Sequence, residues 1–112
     1  MRDGQGLDVA EQLVFQPLED SPLPLWELRW AEAPSWEAVA EVLGPGLVSL
    51  ADRGFIEVRR FNSWPSPWEQ GVRVVGDDLK RESVRAEAWS GDSTAGTLAA
   101  HITQAGIQSG LL

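Results

Sequence analysis

The sequence contains no cysteine. A disulfide framework, a cysteine-ligated zinc site and a thiol nucleophile are therefore excluded. With them goes the usual mark of a small secreted domain. Histidine occurs once, at His101, so any zinc site would need carboxylates for its remaining ligands, a rare set. No run approaches the roughly 18 consecutive apolar residues of a membrane span. Residues 1–10 carry Arg2, Asp3 and Asp8 without an apolar run, so no signal peptide is read there. A cytoplasmic location with no membrane partner is expected. Positive charge is also scarce, with 9 Lys and Arg against 17 Asp and Glu and a net charge of -8. Phosphate contacts dominate nucleic-acid affinity, so an acidic chain is a poor general binder of nucleic acid.

What is present is a globular composition. Apolar residues make up 43% of the 112 residues, enough for one core but not for two. A single domain over 1–112 is expected, with residues 1–20 partly irregular and 107–112 a short tail. Trp26, Trp30, Trp36, Trp64, Trp68 and Trp89 help a short chain to close, since each can bury on the order of 200 Å². Charge is unevenly spread. Residues 1–50 hold nine acids, Glu37 and Glu41 among them, against Arg2 and Arg29, whereas residues 53–85 hold seven bases against five acids. The acidic first half suits a basic protein partner.

Residues 7–15 read as either a short helix or a strand, because periodicity does not arbitrate over so few positions. Ser21 is positioned to cap a helix with Pro22 and Pro24 in its first turn, ending near Ala33 before Pro34. Ser35 caps again, and Trp36, Val39, Ala40 and Leu43 fall at helical spacing. Gly44-Pro45-Gly46 breaks that pattern, and a third helix is expected from Pro45, with Leu47, Leu50 and Ala51 on one side. Gly54 occupies its left-handed C-cap position. Residues 55–61 and 72–75 read as strands. Asp77 or Asp78 caps a helix over 79–89, whose second half allows a strand instead. Residues 97–104 alternate as a half-buried strand.

Two stretches carry a resemblance. LVSLADRGFIEVRR, residues 47–60, resembles the third helix of winged helix-turn-helix domains running through a glycine into the first wing strand. HITQAG, residues 101–106, resembles the close of the last wing strand. The resemblance implies an α+β, winged-helix-like domain with three N-terminal helices and an antiparallel β wing or sheet in the C-terminal half. It also implies a route to DNA, although residues 46–53 offer only Ser49, Asp52 and Arg53 as polar reading groups. The segment between the wing strands, roughly 62–96, is also far longer than a simple wing.

Candidate chemistry is thin. Asp77, Asp78 and Glu82 form the densest carboxylate group, and helix capping explains them without a ligand. Ser93 lies in a turn-rich loop with no nucleophile elbow around it. Gly44-Pro45-Gly46 has neither the lysine nor the preceding strand of a phosphate loop. No catalytic residue, cofactor or metal ligand is assigned. Arg53, Arg59 and Arg60 form the best basic cluster, and strand alternation sends Arg59 and Arg60 to opposite faces. They serve either DNA phosphates or pairing with Glu57 and Glu87. Trp64-Pro65-Ser66-Pro67-Trp68 stiffens a loop between two indoles, as a lid over the core or as an exposed anchor. Trp64 is expected to pack inward and Trp68 to stay more exposed.

The expected function is a non-enzymatic protein-binding or regulatory domain, its site at Trp64, Trp68, Glu37 and Glu41, neutralising a basic protein. The alternative is a winged-helix transcription regulator that binds DNA as a homodimer through Arg53, Arg59 and Arg60. A small metal-dependent or hydrolytic enzyme is the weaker third reading.

Overall fold

A computed structural model describes residues 7–19, 21–30, 32–91 and 96–110. Asp8 opens the first helix, α1 (Val9–Phe15). Its carboxylate accepts from the Glu11 amide at 2.8 Å while the Glu11 carboxylate accepts from the Asp8 amide at 3.0 Å. Two orphan amides of the first turn are satisfied reciprocally, and this decides helix over strand for residues 7–15.

The helix expected after Ser21 does not form. Leu23–Pro24 is instead a short strand, β1, and Leu25–Glu27 is a single 3₁₀ turn. A residue preceding proline is pushed toward extended backbone, and Leu23 precedes Pro24, itself at ψ 153°. Proline is tolerated at a sheet edge, where its missing donor is not needed. Leu25 and Leu28 still bury fully, from the turn rather than from a helix face.

The second correction concerns Gly44-Pro45-Gly46. One helix, α2 (Trp36–Asp52), runs straight through it. Ser35 caps its start, with Oγ accepting from the Ala38 amide at 3.1 Å. Pro45 cannot supply an amide to the helix, a cost of about 3 kcal/mol in isolation. Packing offsets it, because both flanking glycines are buried where neighbours come too close for a side chain. A Cβ on Gly44 would lie 2.6 Å from the Ser83 carbonyl oxygen, and one on Gly46 would lie 2.9 Å from the Ala10 carbonyl carbon. The two glycines let α1 and the later helix reach the backbone of α2 from different sides. Gly54, at φ +78°, follows α2 in the left-handed conformation its position implied.

The chain continues through β2 (Ile56–Phe61), β3 (Val72–Arg73), α3 (Gly76–Ser83), α4 (Ala86–Ser90), β4 (Thr97–Ile102) and α5 (Gln104–Gln108). The helix expected over 79–89 is thus split at Val84 and Arg85, and no strand forms there. Neither Asp77 nor Asp78 caps it: α3 starts at Gly76 after Val75, without a side-chain cap, so both aspartates lie within its first turn. Strand β4 stops two residues short of Gln104 because Thr103 caps α5, its hydroxyl accepting from the Gly106 amide at 3.1 Å and donating to the Gly54 carbonyl at 2.6 Å.

The molecule is α+β with a four-stranded antiparallel sheet, ordered β1-β4-β2-β3. Among the described residues only two α-helices, α1 and α2, precede β2, so the helix order differs from the three N-terminal helices expected, and β1 comes from the N-terminal half. The register pairs Ile56 with Ile102, Val58 with Ala100 and Arg60 with Leu98. Those apolar residues face the helices, where Val39, Leu43, Leu47, Leu50, Leu79 and Trp89 complete the core. Trp36 packs at its margin. The alternate residues Glu57, Arg59, Phe61, Ala99 and His101 form the opposite sheet face, which carries no α-helix among the described residues, only the 3₁₀ turn Trp68–Gln70.

Candidate functional site

The sheet face away from the α-helices is covered by the loop between β2 and β3. Phe61 is its centre, buried at 2% exposure. Trp64 meets the Phe61 ring edge-on at 5.0 Å between centroids, and Trp68 meets it at 5.5 Å. Trp68 also stands edge-on to His101 at 5.4 Å. Arg59 fastens this arrangement: its guanidinium lies 4.9 Å from the Trp68 ring centroid and donates to the Trp68 carbonyl at 2.8 Å. The loop folds back as a lid, but over the outer face of the sheet. Both indoles are half-buried on one phenyl ring, so the loop holds neither as a fully exposed anchor, and Trp68 also meets His101 and Arg59. His101 does lie opposite Leu98 and Ile102, yet the lid covers it, and its Nδ1 is enclosed without a hydrogen-bond partner.

Arg59 and Arg60 point to opposite faces, as alternation requires. Arg59 and Arg73, 3.7 Å away, share the Glu57 carboxylate. Arg60 pairs with Glu82 at 3.3 Å rather than with Glu87. Arg53 reaches Glu11 at 3.2 Å. Glu11 is buried at 1% exposure and also accepts from the Ser49 hydroxyl at 2.7 Å. That buried junction ties α1 to α2 and was not singled out from sequence. Its local half, Asp8 and Glu11 spaced as a capping box, was readable there; its distant half, Ser49 and Arg53, was not.

Asp78 pairs with Arg81, and Glu82 takes Arg85 as well as Arg60. Among the described residues, no three His, Asp or Glu side chains gather into a group able to hold a metal ion. Ser93 lies outside the described residues. No helix among them is long and apolar enough to cross a membrane.

Charges are compensated unevenly. Among the described residues, Arg53, Arg59, Arg60, Arg73, Arg81 and Arg85 each have a carboxylate partner within the protein. Glu27, Glu37, Glu41 and Glu87 are exposed and enter no ion pair among those residues. Six of the seven described arginines have a carboxylate partner, Arg29 and Lys80 have none, and these four glutamates are presented to solvent without a cation. Glu37 and Glu41 lie one turn apart on α2.

Beside Glu27 and the start of α2 is an open groove of about 720 Å³, lined by Trp26, Glu27, Arg29, Trp36, Ser90 and Gly91. Arg29 stands over the Trp36 ring, 5.7 Å from its centroid. Gly91, at φ +83°, ends α4 so close to Trp26 that a Cβ there would lie 2.7 Å from Cε3. No family model matches the chain, and no curated protein or solved structure is significantly similar to it.

Proposed function

We propose that the chain is a non-enzymatic protein-binding domain whose acidic helical face, with Glu37 and Glu41, engages a basic protein. The observation that carries this reading is the uneven compensation of charge. Six arginines are paired internally, while exposed glutamates on α2, α4 and the Leu25–Glu27 turn are not. Arg53 and Arg59, whose side chains are mostly covered in their ion pairs, are less free to meet phosphates, whereas unpaired carboxylates steer a cationic partner. Arg53, Arg59 and Arg60, the groups a winged-helix DNA reader would use, are all among those paired. The Trp64 and Trp68 loop, packed on Phe61 and His101, is better employed as a sheet cover than as an anchor.

Binding of the whole chain to poly-lysine and to a random-sequence DNA duplex separates the readings. Poly-lysine should bind, release as salt rises, and bind more weakly after Glu37→Lys with Glu41→Lys. Duplex binding should be no stronger than ~10⁻⁵ M at physiological salt. A specific operator bound at sub-micromolar affinity would overturn the proposal.

A further inference from the structure

The groove beside α2 carries a more specific inference, which rests on the basic-partner reading above. Two of its walls are the indoles of Trp26 and Trp36, and its acidic rim is Glu27. Glu37 follows Trp36 directly in the first turn of α2, and Glu87 begins the turn of α4 that ends at Ser90 and Gly91. An indole face attracts a guanidinium through its quadrupole, and the Glu27 carboxylate on the rim adds negative charge beside it. The wall is also built in place, because the Gly91 backbone packs against the Trp26 ring at a distance no side chain would permit.

The molecule itself illustrates the chemistry. Arg29 is the one arginine among the described residues with no carboxylate partner, and it is exposed. Its guanidinium is placed over Trp36 instead. We infer that the groove receives an arginine side chain of the basic partner between Trp26 and Trp36, and that Arg29 holds that place in the free protein. Arg29 is then an internal competitor: removing it should strengthen capture of a cationic segment. An anion-binding groove, built from the same Arg29 with the start of α2, predicts the opposite sign.

The test is fluorescence anisotropy of a labelled peptide of alternating arginine and serine, titrated with the whole protein. The matching glutamate–serine peptide serves as control. Trp36→Ala should weaken arginine-peptide binding about tenfold, the loss of a cation–π contact in a partly desolvated site. Arg29→Ala should tighten it about two- to fivefold, and Arg29 is exposed, so this variant keeps its fold. Lys80→Ala makes the same charge change on α3 and should tighten binding less. Equal effects of Arg29→Ala and Lys80→Ala would overturn the inference. So would capture of the glutamate peptide that Arg29→Ala abolishes. If Glu37→Lys with Glu41→Lys weakens binding while Trp36→Ala and Arg29→Ala change nothing, the acidic-face reading stands and the groove assignment falls. If the unaltered protein ignores the arginine peptide, both fall.

Discussion

Gly44 shows how a single missing side chain decides helix packing. Alanine is the better helix former by about 1 kcal/mol, so propensity alone favours Gly44→Ala. The added methyl would lie 2.6 Å from the Ser83 carbonyl oxygen. That oxygen cannot easily yield, since it accepts the Trp89 indole N–H at 2.9 Å, and Trp89 is fully buried. Overpacking of this kind costs typically 1–3 kcal/mol. Gly44→Ala should therefore lose up to about 2 kcal/mol net, read as a lower urea midpoint at unchanged slope. A gain in stability would mean that α3 does not approach α2 as described. The sequence shows a glycine at this position and gives its penalty, but not its neighbour. Ser83 lies 39 positions along the chain from Gly44, beyond the reach of any local pattern. Glu11 repeats the lesson: its bond to the Asp8 amide is a spacing rule, while Ser49 and Arg53 meet it only through the fold.

At the scale of elements, strands were legible where alternation is strong. β2 and β4 lie within the expected ranges because Ile56 and Val58, like Leu98, Ala100 and Ile102, mark one face by period two. The helices were less so. Proline at position 45 reads locally as a boundary, and only the packing against Gly44 and Gly46 makes continuation of α2 favourable. Ser21, Pro22 and Pro24 read locally as a helix start, and pairing of Leu23 with Ala100 on β4 overrides that signal. The loop between β2 and β3 falls between these cases. Its stiffness and aromatic content were visible, but not the sheet face it covers. Its two indoles make a testable pair. Trp68 touches Phe61, His101 and Arg59, whereas Trp64 touches Phe61 among these rings and cations. Both are half-buried, so each truncation should cost less than the ~3–5 kcal/mol of a fully buried ring. Trp68→Ala should cost roughly 2 kcal/mol and Trp64→Ala roughly 1 kcal/mol by urea denaturation. The reverse order would place Trp64, not Trp68, at the centre of the lid.

Across the whole molecule, charge is arranged against stability, and that arrangement is where function is most exposed to test. The acidic surplus was legible in the composition, because net charge is a sum over residues. Which charges remain uncompensated was not, because pairing depends on distance in the fold. Glu37 and Glu41 lie four positions apart on α2, both exposed, with no cation paired to either among the described residues. Like charges at this spacing destabilise a helix by about 0.2–0.5 kcal/mol. Glu41→Lys converts the repulsion into an attraction in the favoured orientation, with the acid on the N-terminal side of the base. It also lowers the self-repulsion of a chain whose net charge is -8. Glu41→Lys should therefore raise folding stability by roughly 0.5–1 kcal/mol in low salt, with the gain shrinking as salt screens the surface. The same substitution should weaken poly-lysine binding. A residue that makes the free protein less stable while strengthening capture of a cation is what a binding surface selected for function would contain. If Glu41→Lys stabilises the fold and leaves poly-lysine binding unchanged, the acidic face of α2 is not the docking surface. If it destabilises the fold, Glu41 has a structural partner and the uneven charge compensation loses its functional meaning.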